Sequence, residues 1–153
     1  MGTAIWKLKD IPESISSLVH ILKHRWVWTL WMWAVGFLTC IPAITALERI
    51  GMQFLGFGTL ACLIFCAAMP TFMEDKKDVH DILGISACIL SQGCVIFIDY
   101  NWLSVWMLFL FLMGSVYVQP DGELGKAMKG KGVFVAEMCC YVSHEGSLLM
   151  YYM

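Results

Sequence analysis

The sequence predicts an all-α fold, a transmembrane helical bundle of five spans preceded by a short amphipathic helix lying at the membrane interface. Three observations predict it. The 153 residues are 59% hydrophobic and only 14% charged, whereas soluble domains carry about 45–50% apolar and about 25% charged residues. A water-soluble chain of this length must still cover its surface with polar groups, and this one lacks them. The charges that are present are bunched between long apolar runs, and almost all the basic ones fall on one side of the implied bundle.

Residues 1–25 read as a cytoplasmic amphipathic segment and 26–153 as the membrane domain. Asp10 and Glu13 have capping-box spacing, and Pro12 sits where a first-turn N–H is dispensable. Behind them Ile15, Leu18, Val19 and Leu22 recur at helical spacing, with His20, Lys23 and His24 on the remaining surface. Such a helix lies in the headgroup plane or folds back as a docking surface for a partner.

The spans are expected at about 26–47, 50–69, 82–98, 102–118 and 133–152. Crossing about 30 Å of hydrocarbon takes about 20 helical residues. Trp26, Trp28, Trp31 and Trp33 crowd the start of the first span, where the outer members anchor it at the interface. Pro42 should kink that helix and free a carbonyl near Leu38. Glu48 and Arg49 form a minimal loop, so the first two spans make an antiparallel hairpin. The third span carries Gly84, Ala87, Cys88 and Ser91, a stripe that lets backbones approach and places it mid-bundle. Asp99, Tyr100 and Asn101 separate it from the fourth span, which Trp102 and Trp106 open. Residues 119–132, with four glycines among acids and lysines, read as a flexible surface connection.

Orientation follows from counting. With five spans, the N-terminal side holds Lys7, Lys9, Lys23, Arg25, Lys76, Lys77, Lys126, Lys129 and Lys131, and the other side Arg49 alone. This predicts a cytoplasmic N-terminus and the C-terminus on the opposite side. With 10 Lys+Arg against 12 Asp+Glu there is no electrostatic footprint for nucleic acid. The first apolar run starts behind a charged segment and is too long for a signal peptide. The expected surroundings are the lipid bilayer and, as further partners, a homo-oligomer or another membrane protein.

The fifth span carries the chemistry. Glu137, His144 and Glu145 stand at membrane depth, where a charge costs about 2.5–3.5 kcal/mol on insertion scales. Glu137 and His144 are seven apart and nearly superimpose, with Cys140 and Tyr141 between them on the same face. That face should meet the bundle or a water-filled crevice. Gln92 on the third span is the expected buried partner, and His80 and Asp81 stand at the cytoplasmic mouth. These residues pack helices together or line a proton or small-solute path. Cys140 and His144, four apart, could instead ligate a metal, and only His144 lies deep enough to be an axial haem ligand. Asp78 and Asp81 more simply cap the third helix.

No catalytic set is present: the chain has no G-x-S-x-G, Walker A, HExxH or C-x-x-C pattern. Its seven cysteines, Cys40, Cys62, Cys66, Cys88, Cys94, Cys139 and Cys140, lie inside apolar runs and read as small hydrophobes, not a disulfide framework. No cofactor is implied. The leading expectation is a non-enzymatic membrane protein with an interaction or structural role. A small transporter or channel subunit is the first alternative, and a metal- or haem-binding protein the second.

Several short motifs add a resemblance. The run from Asp10 to Ser17, the basic residues before Trp26, the stretch Ala67 to Phe72 with Pro70 ending the second span, His80 opening the third, and Glu137 early in the last resemble a group of small uncharacterised multi-span proteins of gut bacteria and their phages. The pattern of Pro70 followed by His80 and Asp81 is also similar to six-span families of unknown function, with one span fewer here. The first resemblance implies an inner-membrane location and a role for the segment around Pro12 to Ser16 beyond that of a spacer. It implies no activity.

Overall fold

Five long helices follow the five apolar stretches in a computed structural model that describes residues 14–15, 25–69 and 77–153. They are α1 (Arg25–Leu47), α2 (Gln53–Ala68), α3 (Lys77–Asp99), α4 (Val105–Val118) and, after the short α5 (Glu123–Met128), α6 (Gly132–Tyr152). Among the described residues there are no strands. The amphipathic helix expected before Trp26 falls outside the described residues, except for Ser14 and Ile15.

Contacts fix the directions. Trp33 donates its indole N–H to Ile64 O at 3.2 Å and Thr29 its hydroxyl to Ala67 O at 3.2 Å, so α1 and α2 are antiparallel. Cys66 meets His80 at the start of α3, while Gly93 approaches Leu55 near the start of α2, so these two are antiparallel as well. Against α6, Ser91 pairs with His144 and Ile98 packs beside Leu148, and the two helices run parallel. Gly132 faces Met113 and Gly146 faces Trp102, so α4 runs opposite to α6. The result is an up-down bundle in which α3 touches α1, α2 and α6. α4 lies on the flank and buries none of its residues.

The turns explain where the helices end. A 3-10 turn, Glu48–Ile50, closes on Gly51, whose φ of 71° is left-handed and whose N–H returns to Glu48 O. Only glycine adopts that backbone routinely. At the other reversal on this end, the Asp99 carboxylate accepts from Asn101 N at 3.1 Å and Nδ2 at 2.8 Å, and starts a second 3-10 turn, Tyr100–Ser104.

These turns shift several expected boundaries. α2 begins at Gln53 and α4 at Val105, because their first expected residues are spent on turns. α3 begins at Lys77, ahead of the expected Ile82, since Asp78 in its first turn complements the helix dipole. The glycine-rich connection is not wholly loop. Gly122, extended at φ −65° and ψ 166°, opens α5, and Lys126 N–H reaches Gly122 O at 3.0 Å. Pro42 lies inside α1, and its carbonyl accepts the Tyr152 hydroxyl at 2.9 Å.

Among the described residues two stretches are long and apolar enough to cross a membrane, Trp26–Ile50 and Asp78–Val118, the latter folded back at Tyr100–Ser104; the apolar α2 is shorter. At 1.5 Å per residue the 21-residue α6 is roughly 31 Å long. The buried core has two parts. Ile15, Trp28, Met32 and Ala67 cluster at the Arg25 end, and Ala43, Ala46 and Leu148 at the other.

Candidate functional site

Between α1, α2, α3 and α6 the bundle leaves a cavity of about 640 Å³. Its α6 wall is Val133, Ala136, Glu137, Cys140, Tyr141 and His144, one helical face that stops at mid-helix. Val133 to His144 is eleven steps, so the cavity is roughly 16 Å deep. Ser14, Ile15 and Gly130 line it at the Arg25 end. Beyond His144 the bundle is tightly packed: Leu47, Val95, Cys94, Ser143 and Ser147 are fully buried. The cavity is therefore blind.

Its wall is mainly apolar in effect. Trp28, Met32, Leu63, Ala67 and Ala87 supply hydrocarbon. The hydroxyls of Thr59 and Ser91 donate back to their own helices, to Leu55 O and Cys88 O, each at 2.8 Å. This satisfies them without a partner from outside.

Four expected site residues line this cavity: Glu137, His144, His80 and Asp81. Glu137 Oε2 accepts the backbone N–H of Ile15 at 2.6 Å. His80 is buried, and its Nδ1 lies 2.7 Å from Met69 O and 3.0 Å from Cys66 O. A carbonyl only accepts, so this nitrogen carries the proton in the neutral ring. Asp81 is exposed at the rim. His144 is 5% exposed and points Nδ1 at Ser91 O, 3.4 Å away. Its Nε2 is buried without a hydrogen-bond partner.

Gln92 and Glu145 stand apart. Gln92 does not line the cavity but ties three helices behind it. Its Oε1 accepts from Trp106 Nε1 at 2.9 Å and Ser143 Oγ at 2.8 Å. Its Nε2 donates to Cys140 O and to Ser91 Oγ, both at 3.3 Å. Every polar atom of the amide is used, so this is a packing device. Glu145 is exposed, on the side of α6 away from the cavity.

The metal reading finds two neighbouring donors at most. Among the described residues no group of three His, Cys, Asp or Glu side chains could hold an ion. All seven cysteines are free.

Sequence reasoning missed several wall residues. Trp106, expected at the opening of the fourth span, turns its indole inward onto Gln92. Trp28, one of the crowded tryptophans, is 7% exposed within the core. Ile15, expected on the apolar face of an amphipathic helix, is buried against Trp28 and Met32. The presence of one polar amide in the third span was the available signal for Trp106, since an indole N–H inside a bundle needs an acceptor.

No protein-family model, curated protein or solved structure matches this chain.

Proposed function

We propose that this chain is a multi-pass membrane protein of five spans, with its N-terminus cytoplasmic, which holds a small and largely apolar molecule in the blind cavity. It acts by binding, without covalent chemistry. The membrane part rests on the outer surface. Leu38, Phe54, Phe57, Ile82, Ile89, Met107, Leu108 and Phe111 are all at least half exposed along the helices. A continuous apolar exterior of this kind matches lipid and not water. The charged loops sit at the two bundle ends, with Lys126, Lys129 and Lys131 at one and Arg49 at the other. That asymmetry, with the resemblance drawn from sequence, supports a bacterial inner membrane.

The binding part rests on one observation, the cavity of about 640 Å³. Ligand pockets of about 300–1,000 Å³ with apolar walls and a few placed polar groups are typical of small-molecule sites. The packed half beyond His144 favours a binding site over a conduit.

Gly84 offers the test. It lines the cavity, and a Cβ there would meet only Cys66 Sγ, at 3.9 Å. Gly84→Leu should fill the space while leaving the helices in place. Native mass spectrometry of protein released from nanodiscs, titrated with dodecanol, should show a one-to-one adduct for the wild type and none for Gly84→Leu. Equal adducts on both proteins would place the alcohol on the outer surface and end the cavity reading.

A further inference from the structure

We infer that the molecule taken by this cavity is a neutral lipophilic alcohol, its hydroxyl donating to His144 Nε2 at the closed end and its hydrocarbon laid toward the Arg25 end. The inference rests on the binding role proposed above and adds the chemical class. His144 is the last α6 residue on the cavity wall and is 5% exposed. Its Nδ1 is turned to Ser91 O, 3.4 Å away. A carbonyl only accepts, so in the neutral ring Nδ1 carries the proton and Nε2 a lone pair. Among the described residues this Nε2 is the buried side-chain polar atom left without a hydrogen-bond partner. An unmet buried acceptor is unfavourable, and a ligand that donates to it recovers that loss on binding.

The neighbouring groups at this depth select the same kind of head. Thr39, Thr59 and Ser91 line the cavity there. Their hydroxyl protons are directed at Gly36 O, Leu55 O and Cys88 O, at 3.4, 2.8 and 2.8 Å. What these hydroxyls have left for a ligand is lone pairs. A head that only accepts, such as an ether or a ketone, therefore finds no hydroxyl proton to take from them. An ionised carboxylate would pair with the ring only after protonating it, and its other lone pairs would go unmet. A buried ion pair is favourable only when those are satisfied as well. A hydroxyl supplies one donor for one acceptor and brings no charge to bury. Trp28, Met32, Leu63 and Ala67 provide the hydrocarbon wall for its chain at the Arg25 end.

The experiment compares dodecanol, its methyl ether and laurate on the nanodisc-embedded protein, by competition in native mass spectrometry at neutral pH. Dodecanol should bind about ten-fold tighter than the ether, which keeps the oxygen and loses the proton, with laurate below dodecanol. His144→Phe, a ring of similar shape, should bring dodecanol to within about two-fold of the ether and leave the ether unchanged. A further measurement needs no variant. In wild-type protein carrying nitrogen-labelled histidine, the resonance of one unprotonated ring nitrogen should move upfield with dodecanol and stay in place with the ether. Equal binding of alcohol and ether, tighter binding of laurate, or an unmoved resonance overturns the alcohol assignment. So does a preference for dodecanol that survives in His144→Phe. No adduct with any probe overturns the binding role itself.

Discussion

The backbone N–H of Ile15 donates to Glu137 Oε2 at 2.6 Å, joining a residue ahead of the first long helix to one in the last, 122 positions away. Ile15 is 9% exposed and sits among Trp28, Met32 and Ala67. The carboxylate thus serves the mouth of the cavity in two ways. It holds Ile15 beside the cavity, and it forms part of the cavity wall itself.

Removing that acceptor should loosen the segment. A hydrogen bond to a charged group contributes about 1.5–3 kcal/mol, and each 1.4 kcal/mol is a factor of ten. Glu137→Leu should therefore speed amide exchange at Ile15 by about ten-fold or more, with exchange in α3 unchanged. Hydrogen–deuterium exchange in nanodiscs reads both. Uniform acceleration across the bundle would mean that the residue supports the whole fold and not this contact.

Gln92 should behave as a three-helix clamp. Its side chain joins α3 to Trp106 on α4 and to Ser143 and Cys140 on α6. Gln92→Leu leaves two donors without this acceptor, at a cost of about 1–3 kcal/mol. Trp106→Phe removes one of the same bonds, so the double variant should lose less than the sum of the singles, by about 0.6 kcal/mol. Thermal unfolding of the four proteins measures the cycle. Strict additivity would mean that the indole and the amide do not interact.

The helices and their order were legible because apolar run length and short polar breaks are properties of contiguous sequence. The reversals from α1 to α2 and from α3 to α4 followed from loops too short to do anything else. Gly132 to Tyr152 was recognisable as a helix with one polar face, and Glu137, Cys140, Tyr141 and His144 do share a cavity wall. What sequence could not separate was the inward from the outward tryptophan. Trp28 and Trp31 are three apart, with ring centroids 5.4 Å from each other, yet one is 7% and the other 50% exposed. In a bundle whose exposed surface is as apolar as its core, hydrophobicity carries no sign for inside, and only packing partners decide. Glu145 shows the converse: its charge suggested the interior, and a rotation of one residue from His144 put it outside.

Two glycines in the second half should respond oppositely to alanine. A Cβ at Gly146 would run into the Trp102 ring, whereas one at Gly114 meets nothing within 4 Å. Gly146→Ala forces the indole or the helix to move and should destabilise by about 1–3 kcal/mol. Gly114→Ala only improves helix propensity and should stabilise by about 0.5–1 kcal/mol. Opposite shifts in melting temperature are expected. A loss at Gly114 would mean that α4 has a close neighbour on that face in the membrane.

His144 provides a test of how its buried nitrogen is used. Among the described residues Nε2 has no hydrogen-bond partner, and Nδ1 makes one long contact, 3.4 Å to Ser91 O. An unpaired buried polar atom costs about 1–3 kcal/mol, and an apolar ring of similar shape avoids that. His144→Phe should therefore leave stability unchanged or raise it by about 1 kcal/mol. A marked fall in melting temperature would assign the imidazole a stabilising contact that the packing does not reveal.

The last prediction concerns the number of crossings. α1 begins and α6 ends at opposite ends of the bundle, as the contact of Tyr152 with Pro42 requires. Of the five proposed crossings α6 is the weakest, because Glu137 and Glu145 offset much of its apolar gain: a charge at mid-helix costs about 2.5–3.5 kcal/mol against about 0.3–0.6 gained per large apolar residue. The helix must therefore be held by its neighbours, through Gln92, Ser91 and the packing of Leu148 on Ala43 and Ala46. Alkaline phosphatase fused after Met153 should be active outside the cytoplasm, and a green fluorescent fusion at the same place should stay dark. Adding Gln92→Leu should lower phosphatase activity, because the clamp that shelters the two carboxyls is lost. A bright fluorescent fusion on the wild-type chain would put both ends in the cytoplasm and reduce the bundle to four crossings.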